Sequence, residues 1–154
     1  MITVYVWLPS EHSFTGHASM KIVGNYSDSE LDEIRKELPG FSSNYETYIS
    51  WYPSSMNPFG DGEAINQQFD FSGPQPDFTQ EITNLDESAS NIFWLRFKYK
   101  HPKSNWHLFS NCSTVVAHAL RAGGGPFYLS FNVTWTPRQV KEYAIRIAGM
   151  GKSH

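Results

Sequence analysis

Hydrophobic and polar positions along the chain divide it into short segments of two periods. Ile2 to Leu8 is β-branched and aromatic and stops at Pro9, the pattern of a short core strand. Residues 16 to 23, GHASMKIV, alternate, with His17, Ser19 and Lys21 on one face and Ala18, Met20 and Ile22 on the other, which predicts a second strand. Ser27-Asp28-Ser29-Glu30 has capping-box form and is followed by Leu31, Ile34 and Leu38 at helical spacing, with Pro39-Gly40 as the stop. Glu46 to Tyr52, ETYISWY, returns to strand chemistry and ends at Pro53.

The stretch from Ser54 to Pro76 is crowded with Gly, Pro, Asn, Asp and Ser, and reads as a long ordered loop with room for one short strand around Phe69. Asn84-Leu85-Asp86-Glu87 can cap a helix, although Phe93, Leu95, Phe97 and Tyr99 alternate as a strand would; helix is the expectation. A clear helix follows from Asn111 or Cys112 to about Ala122, stopped by Gly123-Gly124-Gly125-Pro126. Phe127 to Trp135 reads as strand or extended loop, and Thr136-Pro137 opens a last helix with Val140, Tyr143, Ala144 and Ile147 inward. Together these predict an α+β fold, a small antiparallel sheet packed against the cysteine-bearing helix, in a single domain over 1–154.

Composition narrows the function classes. The net charge is -3 and the 12 Lys and Arg never form a block, so there is no electrostatic footprint for nucleic acid. Ile2 to Leu8 is too short for a signal-peptide core or a membrane span, and no basic amphipathic helix or hydrophobic anchor is evident, which argues against stable membrane insertion. The expected location is the producer's cytoplasm or delivery by a specialised secretion system.

With one cysteine, an internal disulfide and multi-cysteine zinc sites are excluded, so Cys112 acts alone or with another residue type. Val115, Val116, Ala119 and Leu120 lie at i+3, i+4, i+7 and i+8 from it, placing Cys112 on the buried stripe of its helix. It also sits in the first turn, where free backbone N–H groups and the helix dipole stabilise a thiolate. Position alone leaves both a buried structural thiol and a nucleophile open. A nucleophile needs a base. His118 is on the wrong side of the helix, His154 is terminal, and His101 and His107 sit on the connection into the helix without defined geometry; His17, at a strand start after Gly16, is the best candidate. The carboxylates Asp61, Glu63, Asp70 and Asp77 of the long loop are expected to be solvated turn residues. No histidine spacing of a metal site occurs, and the terminal GMGKS lacks a glycine of the phosphate-binding loop pattern and has no following helix.

The segments "GHASMKI", "YISWYP" and "NCSTVVAHALRAGGG" resemble the circularly permuted branch of the NlpC/P60 papain-like superfamily, which includes lecithin:retinol acyltransferase-like and PPPDE-type proteins. They are also similar to a bacterial group of that branch found as domains of secreted effectors. The resemblance runs from 16 to about 125 and implies a permuted papain-like fold with Cys112 as nucleophile, His17 as base and a polar residue on the following strand to orient the imidazole. Ser50 is the choice for that last role and Tyr48, on the same strand face, the reserve; many relatives place a histidine, Asn or Gln there, so this serine departs from the pattern. Trp51, Tyr52 and Trp106 flank the strand and the approach to the cysteine and are the candidate groove-lining residues.

The resemblance implies a cysteine hydrolase, peptidase or amidase, working through an acyl-enzyme without a cofactor. It would act on a protein, peptide or peptidoglycan substrate before a lipid, and as a toxin or effector domain would have a cognate immunity protein. The alternatives are a lipid acyltransferase or thioesterase on the same fold, and a non-catalytic binding domain that uses the loop from 54 to 76 as its contact surface.

Overall fold

The computed structural model describes residues 1–10, 16–37, 39, 44–53, 62–100, 112–126 and 135–150. The expectations for His101, Trp106, His107, His154 and residues 127–134 fall outside them. Six strands and five helices run along the described chain: β1 (Ile2–Trp7), β2 (His17–Asn25), α1 (Asp28–Glu37), β3 (Asn44–Ile49), β4 (Trp51–Pro53), β5 (Gly62–Ala64), α2 (Gln67–Asp70), β6 (Phe78–Ile82), α3 (Glu87–Lys100), α4 (Cys112–Ala122) and α5 (Pro137–Met150).

Four strands pair antiparallel in the order β3-β2-β1-β6. The register puts Ile2 opposite Ile22, Val4 opposite Met20 and Val6 opposite Ala18. The centre of one face of the sheet is therefore apolar: Ile2, Val4, Val6, Ala18, Met20, Ile22 and Ile49 are all fully buried. Helices α4 and α5 lie on this face, α4 against β2 and α5 against β1 and β6, with α3 behind α4. Their stripes Val115, Val116, Ala119, Leu120 and Val140, Tyr143, Ala144, Ile147 complete the core. Full burial of each large aliphatic side chain contributes about 1.5–3 kcal/mol, so this layer holds the fold.

Local signals set the helix ends. Ser27 and Glu30 form the expected capping box, with Glu30 N–H donating to Ser27 Oγ at 3.3 Å and Ser27 N–H to Glu30 Oε1 at 3.1 Å. Thr136 and Gln139 form another before α5, with Pro137 at the first helical position. Asp86, not Asn84, caps α3: its Oδ1 accepts the Ala89 N–H at 3.0 Å, whereas Asn84 donates to the Ile147 carbonyl at 2.8 Å. Gly124, at φ 105°, turns the chain out of α4, as the glycine run predicts.

Four elements differ from the pattern reading, among them β5, which lies in the stretch read as a loop. The segment around Phe69 is a single helical turn, α2, because Asn66 Oδ1 accepts the Phe69 N–H at 2.8 Å and closes the turn. Residues 78–82, not predicted as a strand, form β6 on the edge of the sheet beside β1. The predicted strand over Glu46 to Tyr52 is broken at Ser50. Before it, β3 pairs with β2; after it, Trp51 pairs with Ala64 in a two-stranded sheet of β4 and β5, and the Ser50 carbonyl accepts from Ile65 N–H at 3.0 Å.

The second face of the sheet carries Thr3, Tyr5, Trp7, His17, Ser19 and Lys21. Residues 66–77 strap across its upper end. Phe71 packs edge-on against Tyr5 and Trp7, with ring centroids 5.0 and 5.5 Å apart. Trp7 Nε1–H donates to the Pro74 carbonyl at 2.7 Å, and Leu8 N–H to Asp77 Oδ2 at 2.8 Å. No helix among the described residues is long and apolar enough to cross a membrane.

Candidate active site

His17 owes its position to the residue before it. Gly16 has φ 68°, and a Cβ there would lie 2.4 Å from the Trp7 carbonyl oxygen, so only glycine lets the chain enter β2 with His17 opposite Trp7. The imidazole is 4% exposed, flanked by the Tyr52 ring at 4.3 Å and the Trp7 indole at 5.3 Å between centroids. Its Nε2 lies 3.0 Å from Ser50 Oγ and 3.1 Å from Asp70 Oδ2. The strand break at Ser50 and the α2 turn bring both partners to the same ring nitrogen.

Asp70 is a correction to the sequence reading. It is not a solvated turn residue: its side chain is fully buried, and its Oδ2 also accepts the Tyr48 hydroxyl at 2.5 Å. That hydroxyl lies 2.6 Å from Ser19 Oγ, and since it has one proton to give, Ser19 donates to Tyr48 while Tyr48 donates to Asp70. Tyr48 thus bonds to the carboxylate rather than to His17. The other loop carboxylates Glu63 and Asp77 are exposed, as expected, and Asp61 lies outside the described residues.

Cys112 occupies the first position of α4, at the end of β2 where His17 begins, and is 7% exposed. Burial pushes its thiol up, but the charge of the neighbouring His17, with the Ala18 backbone N–H beside it, outweighs this and holds the thiol below its ordinary value. The converse holds for His17. Burial would lower it, yet the neighbouring Cys112 thiolate and then Asp70 raise it from 6.5 to about 9. Asp70, which burial alone would raise, is held down by His17, Tyr48 and Ser50. When the thiol is ionised and the ring protonated, the buried charges alternate in sign along Cys112, His17 and Asp70, so that each offsets the desolvation of its neighbour. With Nε2 engaged by Asp70 and Ser50, Nδ1 is the ring nitrogen left over, buried and without a hydrogen-bond partner.

A cavity of about 370 Å³ opens beside the imidazole, walled by Trp7, Leu8, Tyr52, Phe69 and Pro74, with Asp70 at its base. Tyr52 lines it, as a groove residue would. Trp51 does not: it is 1% exposed and packs edge-on against Trp94 and Phe97 in the core, because Ser50 and Trp51 point to opposite sides of the strand. The sulfur itself does not line the cavity, which meets the pair on the histidine side. Among the described residues no group of three or more His, Cys, Asp and Glu converges as a metal site would require.

The structure therefore brings Cys112, His17 and Ser50 together and adds Asp70, Tyr48 and Ser19. The sequence signal for Asp70 was slight: two aromatics, Phe69 and Phe71, flank it in a polar loop, and one of them anchors that loop to the sheet.

No curated protein and no solved structure matches the chain. One family model does, described as the IcsB middle domain, and it matches residues 1–78 and 63–150. These segments together contain both sheets, all five helices and every residue of the site just described. The chain belongs to the IcsB middle domain family.

Proposed function

We propose that this protein is a cysteine-dependent acyl-transfer enzyme of permuted papain-like type, in the first instance a hydrolase of peptide or isopeptide amides, acting as a bacterial effector domain. The observation that carries the reading is the buried series Cys112, His17, Asp70, with the thiol lowered and the imidazole raised by one another. A structural thiol gains nothing from a buried imidazole locked by a carboxylate; a nucleophile needs that arrangement.

The resting enzyme holds thiolate and imidazolium. The sulfur attacks the substrate's acyl carbon, forming the C–S bond, and backbone N–H groups at the start of α4 stabilise the oxyanion. His17 gives its Nδ1 proton to the leaving nitrogen as the C–N bond breaks. Water then delivers a proton to Nδ1 while its oxygen bonds to the acyl carbon; the C–S bond breaks and the ion pair is restored. Asp70 and Ser50 keep the ring in the orientation that presents Nδ1 to the sulfur.

A second reading, transfer or hydrolysis of a lipid acyl group, is favoured by one feature: Trp7, Leu8, Tyr52, Phe69 and Pro74 give the cavity beside His17 an apolar part, next to the polar Ser10, Ser72, Gln75 and Asp77. Intact-mass spectrometry separates these readings. Incubation with activated peptide esters and with acyl thioesters of increasing chain length should leave an acyl adduct on the wild type and none on Cys112→Ala. A preference for peptidyl over long-chain donors supports the hydrolase, and the reverse supports the lipid reading. No adduct with any donor, in a folded protein, would overturn both.

A further inference from the structure

All the hydrogen bonds to the Asp70 carboxylate converge on one oxygen. Oδ2 takes the Tyr48 hydroxyl at 2.5 Å and faces His17 Nε2 at 3.1 Å, while Oδ1 is buried with no hydrogen-bond partner. A carboxylate held this way can turn about its Cβ–Cγ bond whenever one donor is lost. Tyr48 is the donor best placed to prevent that. It stands on β3, the edge strand paired with β2, opposite Lys21, and its own oxygen is fixed from behind by Ser19, which is 0% exposed. Asp70, by contrast, sits on a single helical turn in a loop.

We propose that Tyr48 is a positioning residue for the catalytic pair: backed by Ser19, it fixes Asp70 Oδ2 toward His17 and keeps that carboxylate ionised, so that the imidazolium and hence the thiolate persist. The inference rests on the catalytic reading of Cys112 and His17. Tyr48 touches neither substrate nor sulfur, and acts through Asp70. The groups that bear on Asp70 are His17 from β2, Tyr48 from β3, Ser50 at the strand break and Tyr52 from β4, with Cys112 of α4 acting through His17 and Tyr5 of β1 bordering Tyr48. Two of these are uncharged hydrogen-bonding groups, Tyr48 and Ser50, and Tyr48 is the one whose oxygen is held by a side chain outside the His17–Asp70 pair, Ser19. Losing a hydrogen bond to a charged acceptor raises the pH at which that acceptor takes its proton by about one pH unit.

The test follows the rate at which iodoacetamide alkylates Cys112 as a function of pH in wild type, His17→Ala, Tyr48→Phe and Ser19→Ala, with thermal unfolding measured alongside. Tyr48→Phe keeps the ring and its packing. Its acid limb should move up by about one pH unit, with Ser19→Ala displaced in the same direction by less. If Tyr48→Phe lowers the melting temperature but leaves the limb where the wild type has it, while His17→Ala displaces it, the tyrosine is structural and the inference fails. Should His17→Ala also leave the wild-type profile unchanged, the catalytic reading itself fails, a different and distinguishable outcome.

Discussion

Replacing Asp70 with Asn removes a charge and keeps an acceptor. The Asn carbonyl can still take the His17 Nε2–H, so the ring's orientation survives, but the imidazolium loses its second counter-ion. A hydrogen bond to a charged partner contributes about 1.5–3 kcal/mol, equivalent to about one to two pH units on the histidine. From about 9 in the wild type, His17 should therefore titrate between roughly 7 and 8 in Asp70→Asn. Cys112→Ser should lower it further, because the thiolate is a larger contributor to the raised value than the carboxylate. The assay is a ¹H–¹⁵N titration of imidazole nitrogens, with the His17 resonances assigned by their absence in His17→Ala. Turnover should fall about 10- to 100-fold, less than for loss of the nucleophile, since the acceptor remains. A wild-type His17 that titrates near its ordinary 6.5, or a value that Asp70→Asn does not move, would refute the reasoning.

Further consequences are open to direct measurement. Cys112→Ala and His17→Ala should each abolish turnover in a folded protein and together be no worse than either alone, because the two act as a unit; Ser50→Ala, which leaves Asp70 on Nε2, should cost less. Gly16→Ala should destabilise by about 1–3 kcal/mol in denaturant unfolding and displace His17, since its Cβ would collide with the Trp7 carbonyl. Trp51→Ala should cost about 3–5 kcal/mol as a core truncation, whereas Tyr52→Ala should be milder for stability and weigh on substrate binding. His17 is raised on folding, so its stabilising contribution is complete below about pH 6.5 and is lost as pH rises through about 9; Cys112, held below its ordinary value, works in the opposite direction up to the free-thiol value of roughly 8.5, so the wild-type denaturation midpoint should fall mainly above about pH 8.5.

How much of this was legible in the chain varies by element. Alternation in GHASMKIV placed His17 and Ser19 on the face opposite Ala18 and Met20, and the observed register agrees. The helices α1, α4 and α5 followed from caps, stripes and stop signals, all local features, and the side that Cys112 shares with Val115 and Val116 followed from helical period alone. Distance along the chain hid the rest. The contact of Asp70 with His17 spans 53 residues and depends on a loop docking through Phe71, which no local pattern encodes. Likewise β6 is five residues, FTQEI, whose pairing is decided by β1, and the break at Ser50 follows from a switch between sheets that the alternation of ETYISWY does not announce. Trp51 and Tyr52 looked equivalent in sequence; the strand's pleat sends one to Trp94 and the other to the cavity.

The central claim is that Cys112 rests as a thiolate paired with protonated His17. The chain has one cysteine, so its thiolate ultraviolet absorbance, taken against a Cys112→Ser blank and titrated with pH, reads that residue alone. The account predicts thiolate at neutral pH that persists well below the free-thiol value of roughly 8.5 and disappears from neutral solution in His17→Ala. A thiolate that forms only at or above about 8.5, at the same pH with and without His17, would contradict it.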